Sequence, residues 1–215
     1  MRQHLRESWY KYLLEIIVIT VGVLGAFILN SWKEQREHAK LETEFVISLK
    51  KDLTRDKENL ERIMRYMDHI LELHEVLLPL LPDIYYNDKS KLDSLYIDAY
   101  DVIPTFYPIS GTFISAVSSG NTSEFKNKEL ISILYQLYNS TYTRIVYNGE
   151  LLDNLYISQY NKYSRERRIR GVREMTPEQI TELTDDLDRT HRNLHFYKAR
   201  CSKTLREINL ILSNY

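Results

Sequence analysis

The run Leu13 to Trp32, LLEIIVITVGVLGAFILNSW, constrains this chain more than any other stretch. A helix needs roughly 20 mostly apolar residues to cross a bilayer core of about 30 Å. The run has that length and carries one charge, Glu15, near its start. Trp9, Tyr10 and Tyr12 precede it and Trp32 closes it, as expected where amphipathic rings sit at headgroup level. A cleaved signal peptide would have an apolar region of about 7 to 15 residues and then a small-residue cleavage site. Here Ala26 is followed by Phe27, Ile28 and Leu29 and then by a charged run. The pattern predicts a retained signal anchor: a leader over 1–12, a transmembrane helix over 13–32 and an extramembrane domain over 33–215. Flanking cations do not orient it, because Arg2, Arg6 and Lys11 balance Lys33, Arg36 and Lys40. A short leader before a large domain favours translocation of the C-terminal part.

Within the span, Glu15, Ile19, Gly22, Ala26 and Asn30 recur at spacings of three and four and share one stripe. Small residues four apart let helices approach closely, and an asparagine bonds across such an interface. Self-association along Glu15, Gly22, Ala26 and Asn30 is therefore an expectation. The plainer alternative is that Glu15 snorkels toward Lys11 and that Gly22 and Gly25 are ordinary membrane glycines.

The remainder reads as helices. Six glycines and five prolines are few for 215 residues and cluster at joints, which favours long helices over strands and turns. From Lys33 to Leu78 there is neither, so the membrane helix is expected to run on. Leu41, Phe45, Leu49, Leu53, Leu60, Ile63, Met67, Ile70 and Leu77 fall near helical spacing, with His74 at a seam position. Pro79 and Pro82 are expected to end this helix, since proline removes a backbone donor. An irregular cap follows, with short helices near Ser90–Tyr100 and Gly111–Ser119 and a left-handed turn at Gly120. Asn127 is a candidate N-cap for a helix carrying Leu130, Leu134, Leu137, Thr141, Ile145, Asn148, Leu152 and Leu155 to about Arg168. Gly171 breaks it. Thr176, Pro177 and Gln179 spell the start of a last helix, whose stripe is Ile180, Leu183, Leu187, Leu194, Cys201, Leu205, Ile208 and Leu212. Long helices joined by short turns pack antiparallel. The expected fold is all-α: one transmembrane helix continuing into an antiparallel extramembrane bundle with a short irregular cap.

The span, the KEQRE after it and the stretch TFISAVSSGNTSEFKNKELISILYQLY together resemble an uncharacterised family of single-pass membrane proteins from Bacteroidota. Glu15, Ile16, Asn30, Trp32, Ser119, Gly120 and Asn121 match its short motifs, while Ser31 and Thr122 depart from them. The resemblance covers the chain in outline. It implies an inner-membrane anchor with a cytoplasmic N-terminus and a periplasmic helical domain, and it implies no reaction.

Few residues offer chemistry. Net charge is −1, so nothing global favours nucleic acid. The single Cys201 excludes an intrachain disulfide and continues an apolar stripe, the setting of a packed thiol. No Gly-rich phosphate loop, Gly-x-Ser-x-Gly elbow or His-Glu-x-x-His occurs. Asp188, His191 and His195 fall on one helix face and are the candidate ligands of an alternative metal-binding or enzymatic reading. The preferred expectation has no metal and no cofactor. Arg165, Arg167, Arg168, Arg170 and Arg173 form a basic run that complements a helix C-terminus. Were the helix after Asn127 to descend toward the bilayer, that run would meet anionic headgroups or another anionic partner. Twelve of seventeen tyrosines lie between Tyr85 and Tyr163. Tyr135, Tyr138, Tyr142, Tyr156, Tyr160 and Tyr163 recur at helical spacings, with the composition of a partner surface or of a wet bundle edge. The expected function is a non-catalytic, membrane-anchored scaffold or sensor acting through contacts with itself or another membrane or periplasmic protein. So short a leader leaves any signal output to such a partner.

Overall fold

The computed structural model describes residues 2–88, 103–169 and 175–215, with the side chains of 2–8, 82, 84, 85, 160 and 163–169 outside that description. Every regular element among these residues is helical. The first, α1 (Arg2–Asn87), spans 86 residues without interruption. It is the one helix among the described residues long and apolar enough to cross a membrane. Its apolar part touches nothing else: none of the most apolar window is buried, and Gly22 and Gly25 face open space.

Past Phe45 the same helix becomes a core element. Leu49, Leu53, Asp56, Leu60, Ile63, Met67, Ile70, His74, Leu77 and Leu81 are all buried, at steps alternating between four and three. A mean step of 3.5 keeps one seam facing its partners along the whole length. The seam is longer than periodicity suggested, because Asp56 fills the gap between Leu53 and Leu60 and His74 packs inside. The helix also does not end at the prolines. Pro79 and Pro82 withdraw donors from the carbonyls of Glu75 and Leu78, at about 3 kcal/mol per interior proline, yet the helix reaches Asn87. Complete burial of Leu77 and Leu81 offsets that cost.

The second helix, α2 (Gly111–Ser118), ends in the turn where Gly120 holds φ 75°, the left-handed region that glycine enters without penalty. Asn127 then caps α3 (Lys128–Gln136), its side chain accepting from Leu130 N–H at 3.0 Å. A π-turn over Leu137–Tyr142 joins α3 to α4 (Thr143–Ile169). The last helix, α5 (Pro177–Asn214), starts with the expected capping box: Thr176 Oγ1 accepts from Gln179 N–H, and Gln179 Oε1 accepts from Thr176 N–H at 2.8 Å. Thr176→Ala removes one half of this pair and is expected to cost about 1 kcal/mol. Thr176→Ser keeps it, and comparing the urea midpoints of the two variants checks the assignment. The expected helix near Ser90–Tyr100 and the break at Gly171 lie outside the described residues.

The contacts fix the sense of each helix relative to α1. Glu42 accepts from the backbone N–H of Lys126 and Asn127, and Asp56 from the Tyr142 hydroxyl, so pairings rise together along α1 and along α3 into α4. Against α5 they run oppositely: Met64 meets Ser202, Asp68 pairs with Lys198, and the His74 and His191 rings lie 6.0 Å apart. The ends of α4 and α5 meet through Lys162, which pairs with Glu182 and Asp186. These paired stretches of α4 and α5 therefore lie toward the end of the bundle away from the apolar run.

Candidate functional site

The non-helical segment 103–110 crosses α1, α4 and α5, and side chains supply the hydrogen bonds its backbone lacks. Phe106 N–H donates to Tyr197 Oη at 2.9 Å, Ile109 N–H to Asp56 Oδ1 at 3.0 Å, and the Thr105 hydroxyl to Asp153 at 3.0 Å. Phe106 is fully buried beneath the strap. Buried backbone groups need partners, and Asp56 is the main one. It lies 1% exposed and also accepts from the Tyr142 hydroxyl at 2.8 Å. Beside it, Asp52 accepts from Thr112. Burial lifts the Asp56 carboxyl from its ordinary 3.8 to about 6; its two hydrogen bonds act downward, and Asp52 adds to the rise. The hub has no exposed nucleophile and organises the strap.

Tyr138 and Tyr142 belong to this hub, which corrects their assignment to a partner surface. Both are buried. Tyr138 stacks on Phe113 with ring centroids 4.4 Å apart, and Tyr142 meets Tyr138 edge to face at 5.0 Å. The π-turn is the reason. Bonding i to i+5 accommodates one extra residue, so Tyr142 and Gly149 face the core where a straight helix would place Thr141 and Asn148. Tyr135 is 38% exposed and Tyr156 intermediate, while the side chains of Tyr160 and Tyr163 lie outside the described residues. Outside the hub opens a cleft of about 480 Å³, whose lining includes Phe113, Ile114, Tyr138, Tyr142, Tyr147 and Glu150. Tyr147 is 59% exposed there. It shares the composition that singled out the other tyrosines, but falls off their spacing.

A second cluster joins α1 to α5. Glu75, His191 and His195 each place one ligand-type atom within 4.8 Å of the other two. Asp188, the carboxylate expected beside these histidines, instead pairs with Arg192 one turn along its own helix. Sequence spacing sees only one helix, so it offered Asp188 and missed Glu75. Burial and then His195 hold the His191 imidazole below its ordinary value, against Glu75 and Asp188. Cys201 packs as expected: it is completely buried, and burial pushes its thiol up to about 12, far from a nucleophilic thiolate.

A family model described as a family of unknown function, DUF6090, matches residues 15–166. The chain belongs to DUF6090. No curated protein and no solved structure matches it. The DUF6090 match takes in the apolar run, the Asp56 hub, the strap and the tyrosine cleft, and stops before α5. His191, His195, Tyr197 and Cys201 therefore lie outside it.

Two further groups of residues singled out in the sequence remain to be placed. Glu15, Gly22, Ala26 and Asn30 stay exposed along α1, and the Asn30 amide donates to Glu34 of the same helix at 2.8 Å. The headgroup reading required the helix after Asn127 to descend toward the apolar end, whereas α4 climbs alongside α1. Arg165, Arg167 and Arg168 fall in the last turns of α4, at the far end of the bundle, and Arg170 and Arg173 lie outside the described residues. This end of α4 lies far along the bundle from the apolar run of α1.

Proposed function

We propose that this DUF6090 protein is a single-pass bacterial inner-membrane protein whose periplasmic helical bundle works by protein contact, as a scaffold or sensor and without catalysis. The observation that carries the proposal is the continuity of α1, which passes without a break from an exposed apolar run into the buried seam of the bundle. Such a helix couples a lipid-embedded segment rigidly to a packed domain. The Tyr147 cleft offers that domain a contact surface, and the Gly22 and Ala26 stripe offers the span a self-association face.

Deleting 13–32 is expected to move the protein from an alkaline-resistant membrane fraction to the soluble fraction. Protection of the bundle from protease in spheroplasts would defeat the periplasmic assignment. A photo-crosslinking phenylalanine at position 147 should yield discrete adducts in intact membranes, while one at the buried position 53 should yield none. Absence of adducts at 147 removes the contact reading of the cleft.

A further inference from the structure

We infer that Glu75, His191 and His195 form a binding site for a zinc-class divalent cation that clips α5 onto α1. The three donors come from two helices whose pairing is fixed independently, by Asp68 with Lys198 and Met64 with Ser202. His191 and His195 stand one turn apart with ring centroids 4.6 Å apart and edge to face, so both imidazoles address one region of space. Glu75 reaches that region from the facing helix.

The geometry is that of an open site. Bonds of about 2.0–2.1 Å to a tetrahedral ion set its ligand atoms roughly 3.3 Å apart. The present separations, within 4.8 Å, need at most about 1.5 Å of closure. Glu75 and His195 are exposed and free to rotate by that amount, while His191 is half-buried and anchors the site. His191 Nδ1 is buried with no hydrogen-bond partner, so no protein group fixes which nitrogen carries the proton. Two imidazoles, one carboxylate and a fourth position open to water form a borderline donor set. It suits Zn²⁺, Co²⁺, Ni²⁺ or Cu²⁺ and not the all-oxygen preference of Mg²⁺ or Ca²⁺. Asp188 pairs with Arg192 and is not among the three converging groups.

Because the ligands sit on two helices, the ion binds the folded bundle in preference to the unfolded chain and stabilises it by mass action. Tag-free, full-length protein in detergent micelles, stripped with chelator and titrated with Zn²⁺ by calorimetry, should bind one equivalent and show a raised melting midpoint. Glu75→Gln and His195→Ala, both at exposed positions, should each weaken binding at least tenfold, while Asp188→Asn should change it less than twofold. Full affinity in either ligand variant, loss of binding in Asp188→Asn, or no binding by the unaltered protein overturns the assignment. Mg²⁺ at the same concentrations should leave the midpoint unmoved; an equal rise with Mg²⁺ would overturn the zinc-class donor assignment.

Discussion

Asp56→Asn is expected to change the pH dependence of stability by about 2.5 kcal/mol between pH 4 and pH 7.5, in favour of the variant at the higher pH. The folded-state carboxyl titrates near 6 against an ordinary 3.8. The folded state therefore holds the proton more tightly than the unfolded chain does. That contribution is fully present below about pH 3.8 and is lost at about 1.4 kcal/mol per pH unit as pH rises toward 6. Asparagine cannot ionise, so it forgoes the loss. Its side-chain oxygen still accepts from Ile109 N–H, and its amide still reaches the Tyr142 oxygen, so the strap stays in place. Asp56→Ala has the opposite consequence. It strands the Ile109 N–H and the Tyr142 hydroxyl, each at about 1–3 kcal/mol when buried, and should lower stability by about 3 kcal/mol at pH 4. Urea unfolding of the two variants and the parent, followed by circular dichroism from pH 4 to 7.5, checks both. A difference between Asp56→Asn and the parent that does not vary with pH would show that Asp56 is not the titrating group.

The helical architecture was legible in the sequence wherever a local rule governs. Asn127, Gly120 and the Thr176, Pro177, Gln179 start signal rest on backbone groups a few residues away, and each behaves as its type demands. The stripe of α5 was legible from Ile180 to Leu194 and again at Cys201 and Ile208, whereas Tyr197, Thr204 and Ile211 are buried and Leu205 and Leu212 only partly so. What escaped depends on partners far along the chain. Leu77 and Leu81 carry α1 past two prolines by packing that no local pattern encodes. The π-turn adds a residue and so exchanges Thr141 for Tyr142 at the core. Glu75 enters the histidine cluster from another helix, and Glu42 holds a turn 84 and 85 residues away. Asp56 left a trace, since it occupies a seam step between Leu53 and Leu60. A charged residue where the period requires a buried one signals a committed hydrogen-bond partner, which is the role it has.

Tyr197→Phe is expected to cost about 2 kcal/mol, although it deletes one oxygen and leaves the ring. That oxygen accepts from Phe106 N–H at 2.9 Å beneath the strap. Tyr197 is 1% exposed and Phe106 fully buried, so no water replaces the lost acceptor. A buried N–H without a partner costs about 1–3 kcal/mol. The hydroxyl fits because position 149 is glycine. A Cβ there would stand 3.0 Å from Tyr197 Oη and 3.1 Å from Thr105 Cβ, closer than ordinary contact. Gly149→Ala gains up to about 1 kcal/mol of helix propensity and loses about 1–3 kcal/mol to overpacking, for an expected net loss of about 1 kcal/mol. The two changes share an atom and so are not additive. With the hydroxyl removed, the first of the two close approaches vanishes, and alanine at 149 should be tolerated about 1 kcal/mol better than in the parent. A double-mutant cycle on Gly149→Ala and Tyr197→Phe measures this coupling directly. Strict additivity would mean that the strap draws its hold from elsewhere, leaving Asp56 and Asp153 to anchor it without Tyr197.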